Sequence, residues 1–285
     1  MSEVTCISPC KLNLFLYITG RRPDGYHELE TLFALLDYGD TMSFKPNLEG
    51  KFSLEGPFNF PFEQNLIYKA YKLLLDTLPQ SQAQNLGVSI KVLKKIPEGG
   101  GLGGGSSNAA TTLLVLNKLF KASLSIDELA ALGLKLGADV PVFIRGHNAF
   151  ATGVGEKLQS VELKEQYALV VTPFVEVNTK KAFSDPDLKR DSPKRALSEL
   201  LKLPLHNDFT KTVIKSAPQV GLALDRLLKY GPAQMSGSGS SCFVLFDSYE
   251  LAYKAFSKLD VEEFRSCFIA KIVKHSPVLD VIDAL

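Results

Sequence analysis

The sequence predicts an α+β protein with two domains that meet near residue 153. Alternating apolar residues indicate strands in the first half, apolar residues at helical spacing indicate helices among them, and the same mixture restarts after Gly153-Val154-Gly155. A chain of 285 residues is long enough to bury a sizeable core in each of two domains. We therefore predict one domain over residues 1–153 and a second over residues 154–285.

The predicted first domain mixes strands with helices that have clear start signals. Asn65 is a good N-cap for a helix over residues 65–78, and Ser125 with Glu128 forms a capping box that opens a helix ending near Leu136. A strand pattern occupies residues 4–7, 11–18, 41–45 and 88–92, with a buried apolar run over 29–36.

The second domain is predicted to be a small sheet with helices on one face. A polar loop that contains Pro186 and Pro193 spans residues 184–195. The predicted strands cover residues 167–172, 242–246 and 266–275, and the predicted helices lie near 193–202, 216–229 and 248–259. This order of elements again indicates an α+β arrangement.

The most informative segment is residues 97–108, Pro-Glu-Gly-Gly-Gly-Leu-Gly-Gly-Gly-Ser-Ser-Asn. Its glycines stand between a strand and a helix that we expect to begin where they end, with Ser106, Ser107 or Asn108 as its N-cap. Unpaired amides and the positive end of a helix dipole suit a polyphosphate. A flexible linker is the alternative, although linkers rarely stand directly between a strand and an amphipathic helix. The segment fits neither a Walker P-loop nor a dinucleotide-binding motif.

Two polar features interrupt apolar patterns, and each has two interpretations. Lys11 and Asn13 share one face of a strand whose other face carries leucines, which indicates either a ligand site or an edge strand with a solvated face. Asp139, before Val-Pro, is either a helix N-cap or a catalytic carboxylate, and its spacing alone favours the cap. A glycine-serine cluster at residues 236–240 is by itself more typical of a turn than of a site.

Composition favours a small-molecule enzyme. The formal net charge of +1 provides no general attraction to nucleic acid or to an anionic membrane. The four cysteines lack the spacing of a zinc site or a redox motif, which predicts reduced thiols in a cytoplasmic protein. The N-terminal residues lack the pattern of a targeting signal, and no segment approaches the ~20 apolar residues of a membrane span.

Three segments together resemble the motifs of the GHMP kinase superfamily, in the expected order and over essentially the whole chain. They are a strand motif at residues 8–14, the glycine-rich segment at 97–108 and the glycine-serine segment at 235–241. The resemblance implies an N-terminal domain like a ribosomal-protein domain, a ferredoxin-like C-terminal domain and an active site between them. Cys10 departs from the alanine expected beside the lysine of the first motif.

Within the superfamily, residues 22–29, 137–143 and 185–195 are similar to one group of members. That group uses ATP to phosphorylate the 2-hydroxyl of a methylerythritol linked to cytidine diphosphate, a step of non-mevalonate isoprenoid synthesis. The alternatives are a kinase for another alcohol, such as homoserine or phosphomevalonate, and a nucleic-acid-binding module of related fold. The Asp-Gly-Tyr-His stretch argues against the first alternative, and the near-neutral charge argues against the second.

The resemblance also implies roles for individual residues. Asp139 would be the base, and Lys11 would polarise the acceptor hydroxyl and the γ-phosphate, which suits a transition state that needs positioning and charge neutralisation. The expected acceptor-binding residues are Asn13, the cytosine-stacking Tyr26 and Phe183, and His27, which would bond the edge of the base.

The expected ATP-binding residues are Asn65, Lys94, Pro97, Glu98, Gly99, Gly100, Gly101, Leu102, Gly103, Gly104, Gly105, Ser106 and Ser107. Mg²⁺ is expected to accompany ATP, and no protein ligand is assigned to it. We expect the small-molecule acceptor to be the partner of this protein, with no nucleic acid, membrane or obligate protein partner.

Overall fold

The computed structural model describes residues 3–285, so Met1 and Ser2 of the predicted first domain lie outside the described residues. Its strands are β1 (Val4–Arg21), β2 (His27–Asn47), β3 (Phe52–Glu55), β4 (Gly87–Leu93), β5 (Ala149–Thr152), β6 (Lys157–Ser160), β7 (Tyr167–Pro173), β8 (His206–Asn207), β9 (Ala233–Met235), β10 (Cys242–Phe246) and β11 (Phe264–Lys271). Its helices are α1 (Leu66–Leu75), α2 (Gln80–Ala83), α3 (Gly104–Leu119), α4 (Ile126–Leu134), α5 (Val140–Arg145), α6 (Thr179–Ser184), α7 (Leu197–Leu200), α8 (Thr210–Ser216), α9 (Pro218–Leu228), α10 (Tyr249–Phe256) and α11 (Pro277–Asp283). Short 3₁₀ turns occupy Phe62–Gln64 and Val261–Glu263.

The larger sheet is built around the long antiparallel pair β1 and β2. Its order is β3-β4-β2-β1-β8, with β5 and β6 continuing from one end of β2. Register shifts interrupt the β1–β2 pairing, for example between Asn13 and Leu16. These irregularities break the alternation of apolar residues, which is why the sequence predicted two shorter strands in place of each long one.

Helices cover one face of this sheet, and the smaller sheet covers the other. Apolar residues of α1, α3, α4 and α5 form a core with β2 and β4. Leu12 and Leu14 of β1 lie in a second core together with Phe243 and Phe268 of the smaller sheet. Because these leucines point toward the smaller sheet, Lys11 and Asn13 point to the opposite side of β1, as the sequence predicted.

The smaller sheet has the order β11-β7-β10-β9 with antiparallel neighbours. Numbered along the chain, its strands lie in the order 4-1-3-2, and the helices α9 and α10 pack on them. This is a ferredoxin-like arrangement, so the α+β fold class with a ferredoxin-like second unit is confirmed. Strand β6 lies beyond residue 153 yet pairs in the larger sheet, and α11 near the end of the chain packs against β1 and α3.

Most predicted elements are confirmed, and the main errors lie in the second half. The capping box at Ser125, the N-cap at Asn65 and the strand over residues 242–246 all occur as predicted. The helix predicted over 193–202 was wrong in extent, because only Leu197–Leu200 is helical and the chain before it runs against β1, where the Ser192 amide donates to the Ile18 carbonyl. Within residues 3–285, no helix combines the length and the hydropathy needed to cross a bilayer.

Candidate active site

Three adjoining cavities run between the glycine-rich loop and the loop that follows β1. The donor cavity, about 400 Å³, is lined by residues of the 97–108 segment, and the acceptor cavity, about 650 Å³, is lined by residues of the 21–29 segment and α6. A third cavity of about 280 Å³ shares Gly101 and Gly103 with the first and Ala138 and Phe183 with the second. We call it the reaction cavity because Lys11 and Asp139 line it.

The glycine loop ends at Gly103, which has a left-handed φ of 75° and is the N-cap of α3. The expectation that α3 begins after the glycines was therefore wrong, since Gly104 and Gly105 form its first turn. Glycine is required at residue 103 because a Cβ there would lie 2.8 Å from the ring of Phe143 and 3.2 Å from Cε of Lys11. The first amides of α3 have no partner within the helix, so an anion can accept from them.

The earlier start of α3 also changes the role of Ser107. Its side chain is fully buried, and its Oγ lies 2.8 Å from Oγ of Ser8 rather than on the donor cavity. The other residues predicted to bind ATP line that cavity, together with residues that the sequence analysis missed: Phe58, Phe60, Gln64, Leu66 and Asn108.

Two predicted ATP-binding side chains already have partners within the protein. Oδ1 of Asn65 accepts from the Ile67 amide at 3.0 Å, which caps α1. Nζ of Lys94 donates to Oδ2 of the buried Asp40 at 2.5 Å. Oδ1 of Asp40 accepts from the backbone amides of Lys95 and Ile96, which follow Lys94 in the chain. This carboxylate therefore holds the segment that leads into the glycine loop.

The second glycine-serine loop holds the first one in place. The Ser241 amide donates to the Gly100 carbonyl at 3.0 Å, and Oγ of Ser236 donates to the Gly101 carbonyl at 3.0 Å. A Cβ on Gly101 would lie 2.2 Å from the Ser236 carbonyl oxygen, so the two loops approach as closely as glycine allows. Sequence reasoning alone gave this cluster little weight because the partner loop lies more than a hundred residues away.

Lys11 is buried and surrounded by acceptors. Its Nζ donates to Oδ1 of Asn13 at 2.5 Å and to the Gly101 carbonyl at 3.0 Å, and it lies 3.4 Å from Oδ2 of Asp139. Nδ2 of Asn13 donates to Oγ1 of Thr31 at 2.7 Å, which fixes the orientation of the amide. The edge-strand interpretation was wrong, since β1 lies between β2 and β8 and the exposed fraction of Lys11 is 3%.

Asp139 precedes α5, yet its side chain makes no capping hydrogen bond. Asp139 therefore occupies the N-cap position that the spacing favoured, but its side chain does not cap the helix. The Asp139 carboxylate remains about one third exposed, at 35%, and faces Lys11 across the reaction cavity. It is available to accept a proton from a hydroxyl that enters this cavity.

The acceptor cavity contains the three aromatic side chains that the sequence singled out. The rings of His27 and Phe183 are stacked with centroids 4.9 Å apart. The ring of Phe209 packs against Phe183 in an edge-to-face arrangement. Tyr26 is 65% exposed at the mouth of the cavity. In this arrangement His27 stacks on Phe183, the ring that the resemblance expects to stack on cytosine.

Comparisons with known proteins identify the family. The profile described as "GHMP kinases N terminal domain" matches residues 65–147, and the profile "GHMP kinases C terminal" matches residues 188–265. The chain is also 47% identical to the 4-diphosphocytidyl-2-C-methyl-D-erythritol kinase of Hahella chejuensis, covering 97% of this chain and 96% of that protein. The chain belongs to the GHMP kinase family.

One more relative and two solved structures support the same family assignment. The 4-diphosphocytidyl-2-C-methyl-D-erythritol kinase of Mannheimia succiniciproducens is 48% identical, over 97% of this chain and 90% of that protein. A crystal structure of 4-(cytidine 5'-diphospho)-2C-methyl-D-erythritol kinase superposes with a TM-score of 0.80 at 33% identity, over 94% of this chain and 98% of that chain. A homoserine kinase from Cytophaga hutchinsonii, at 17% identity and a TM-score of 0.64 over 98% and 96%, shares the fold. The protein is thus an ATP-dependent phosphotransferase with a small-molecule acceptor.

Proposed function

We propose that this GHMP kinase transfers the γ-phosphoryl group of ATP to the 2-hydroxyl of 4-diphosphocytidyl-2-C-methyl-D-erythritol, in the non-mevalonate isoprenoid pathway. One observation carries the proposal: the donor and acceptor cavities each share lining residues with the reaction cavity, where Lys11 and Asp139 lie 3.4 Å apart. The names of the full-length relatives agree with this acceptor.

ATP binds with its phosphates against the glycine loop and the first turn of α3. The unpaired amides of that turn and the helix dipole favour the negative charge. Within the described chain, residues 3–285, no group of three or more His, Cys, Asp or Glu side chains could hold a metal ion. Mg²⁺ at kinase sites is bound by the substrate phosphates together with one or two carboxylates, and we propose that here it arrives with ATP as the MgATP substrate.

The transfer needs a base, a cation and alignment. The oxygen of the acceptor 2-hydroxyl attacks the γ-phosphorus, the bond from that phosphorus to the β,γ-bridging oxygen breaks, and ADP leaves. The hydroxyl proton passes to the carboxylate of Asp139, and the ammonium of Lys11 neutralises charge on the transferred group. Asn13 holds Lys11 in place through its Oδ1.

The cytidine of the acceptor binds in the larger cavity. Its volume of about 650 Å³ and its aromatic lining suit a nucleoside better than a small amino alcohol. We infer that cytosine enters between Tyr26 and Phe183 beside the His27 ring, which meets the edge of the base from the position in which Arg190 holds it. Stacking on an aromatic ring stabilises a bound base by roughly 1–3 kcal/mol.

The protein is proposed to work in the cytoplasm on this small molecule, without nucleic acid or a membrane. Cys6, Cys10, Cys242 and Cys267 are free, as expected of a protein from a reducing compartment. The decisive experiment is a coupled assay for ADP with ATP and, in turn, the diphosphocytidyl acceptor, homoserine and phosphomevalonate. ADP release that depends on the first acceptor supports the proposal, whereas a preference for either of the others refutes it.

A further inference from the structure

Arg190 makes a contact with the acceptor cavity that the proposed reaction does not use. Its Nε donates to Nε2 of His27 at 3.1 Å. The rest of the guanidinium is held by backbone carbonyls, with Nη1 donating to Leu188 at 3.0 Å and Nη2 donating to Phe183 at 2.9 Å and Asp185 at 2.6 Å. Four donor contacts fix the guanidinium at the end of α6, so its Nε has a defined direction.

A guanidinium has no acceptor, so the His27 nitrogen that it meets must be the acceptor. A neutral imidazole that accepts at Nε2 carries its proton on Nδ1. We propose that Arg190 is a positioning residue that holds His27 in this tautomer, so that His27 meets the base of the acceptor as a hydrogen-bond donor. The part of this proposal that concerns the base rests on the proposed function.

The surroundings favour a neutral ring. Burial lowers the pKa of His27 below its usual 6.5, and the positive charges of Arg190 and Arg21 lower it further. Among the charged groups that line this cavity, Lys180 adds a further cation and Asp24 is the carboxylate. A neutral ring that donates from Nδ1 can bond to N3 or O2 of cytosine, which are both acceptors. It could not bond to a base that carries an N–H in place of N3, because two donors would then face each other.

Two substitutions separate donation from general packing. Arg190→Lys and Arg190→Gln both lose carbonyl contacts, so both loosen the loop. Lysine can only donate, whereas the glutamine amide can also accept from a protonated Nε2. We therefore expect Arg190→Lys to keep the Nδ1–H tautomer and Arg190→Gln to release it. Lys189→Gln removes a neighbouring exposed charge and serves as the matched control.

Long-range ¹H–¹⁵N spectra of the ligand-free protein report the tautomer directly, and a His27→Gln variant assigns the signal among the four histidines. Wild type should show Nδ1–H, and the pKa of His27 should rise toward 6.5 in Arg190→Gln. An Nε2–H tautomer of His27 in the wild type would by itself overturn the proposal. Because no substrate is present, this result is independent of the proposed function.

Kinetics test the consequence for binding. Losing one neutral hydrogen bond to the base should raise the acceptor KM of Arg190→Gln about fivefold, with kcat and the KM for ATP nearly unchanged. Arg190→Lys should recover most of this loss, and Lys189→Gln should behave as wild type. Equal acceptor KM values in the lysine and glutamine variants would refute the role of donation.

Discussion

Adding a single methyl group at Gly103 tests whether the glycine loop and Lys11 form one phosphate site. In Gly103→Ala the new Cβ lies 2.8 Å from Cζ of Phe143 and 3.2 Å from Cε of Lys11, at a residue whose φ is 75°. The left-handed backbone costs an alanine roughly 1–2 kcal/mol. Phe143 is buried and cannot swing away, so overpacking adds about 1–3 kcal/mol.

Gly99→Ala is the matched control within the same loop. Gly99 also has a positive φ, 68°, but a Cβ there meets nothing within 4 Å. It therefore carries the backbone cost of roughly 1–2 kcal/mol without the clash. The difference between the two variants isolates the contact with Phe143 and Lys11.

The assays are urea unfolding, calorimetric titration with ATP, and ADP release. We expect Gly103→Ala to lose about 2–5 kcal/mol across stability and ATP binding combined, and to lose kcat because Lys11 is displaced. Gly99→Ala should lose less than half of that. If a folded Gly103→Ala binds ATP as wild type does, or if both variants behave alike, the phosphates do not bind where α3 begins.

Three further outcomes follow from the same site. Asp139→Asn should lower kcat by roughly 10²–10⁴-fold in ADP-release assays. The Tm of this variant should barely move, because the Asp139 side chain makes no capping hydrogen bond. Near-normal turnover would exclude a base role for Asp139. Tyr26→Ala should raise the acceptor KM by about 5- to 150-fold, from roughly 1–3 kcal/mol of stacking, while the ATP KM stays constant; a parallel loss of both would remove Tyr26 from the cytidine site. Burial holds the pKa of His27 below 6.5, so the ring is neutral at pH 7. The acceptor KM should therefore stay constant from pH 8 to 6.5 and rise only on further acidification. A rise already at pH 7 would contradict the buried position of His27.

The local signals in the sequence predicted the fold well where they were complete within a few residues. The capping box at Ser125 and the alternation in β4 depend on neighbours along the chain, and both are present in the structure. The start of α3 was misplaced because glycine is a poor helix former, so Gly104 and Gly105 gave no helix signal. The lack of space for a side chain at Gly103 depends on Phe143, which lies 40 residues away in the sequence.

The same distinction applies to the site. A strand pattern was enough to place Lys11 and Asn13 on one face, because that depends only on the two-residue period. The contact of Arg190 with His27 spans 163 residues, and nothing in either local pattern indicates it. The spacing around Asp139 indicated its N-cap position but not its ion pair with Lys11, which lies 128 residues earlier in the chain.

The donors of Lys11 indicate how the arrival of a phosphate would free the carboxylate. An ammonium has three N–H donors, and Lys11 has three acceptors: Asn13 at 2.5 Å, Gly101 at 3.0 Å and Asp139 at 3.4 Å. The first two distances are short enough for hydrogen bonds, and the third is longer than a normal one. A γ-phosphate oxygen that enters the reaction cavity therefore competes with Asp139 and not with the two groups that position the lysine. Once that donor turns to the phosphate, the Asp139 carboxylate is left to face the hydroxyl, so the proposed base would lose its contact with Lys11 only when the donor substrate is in place.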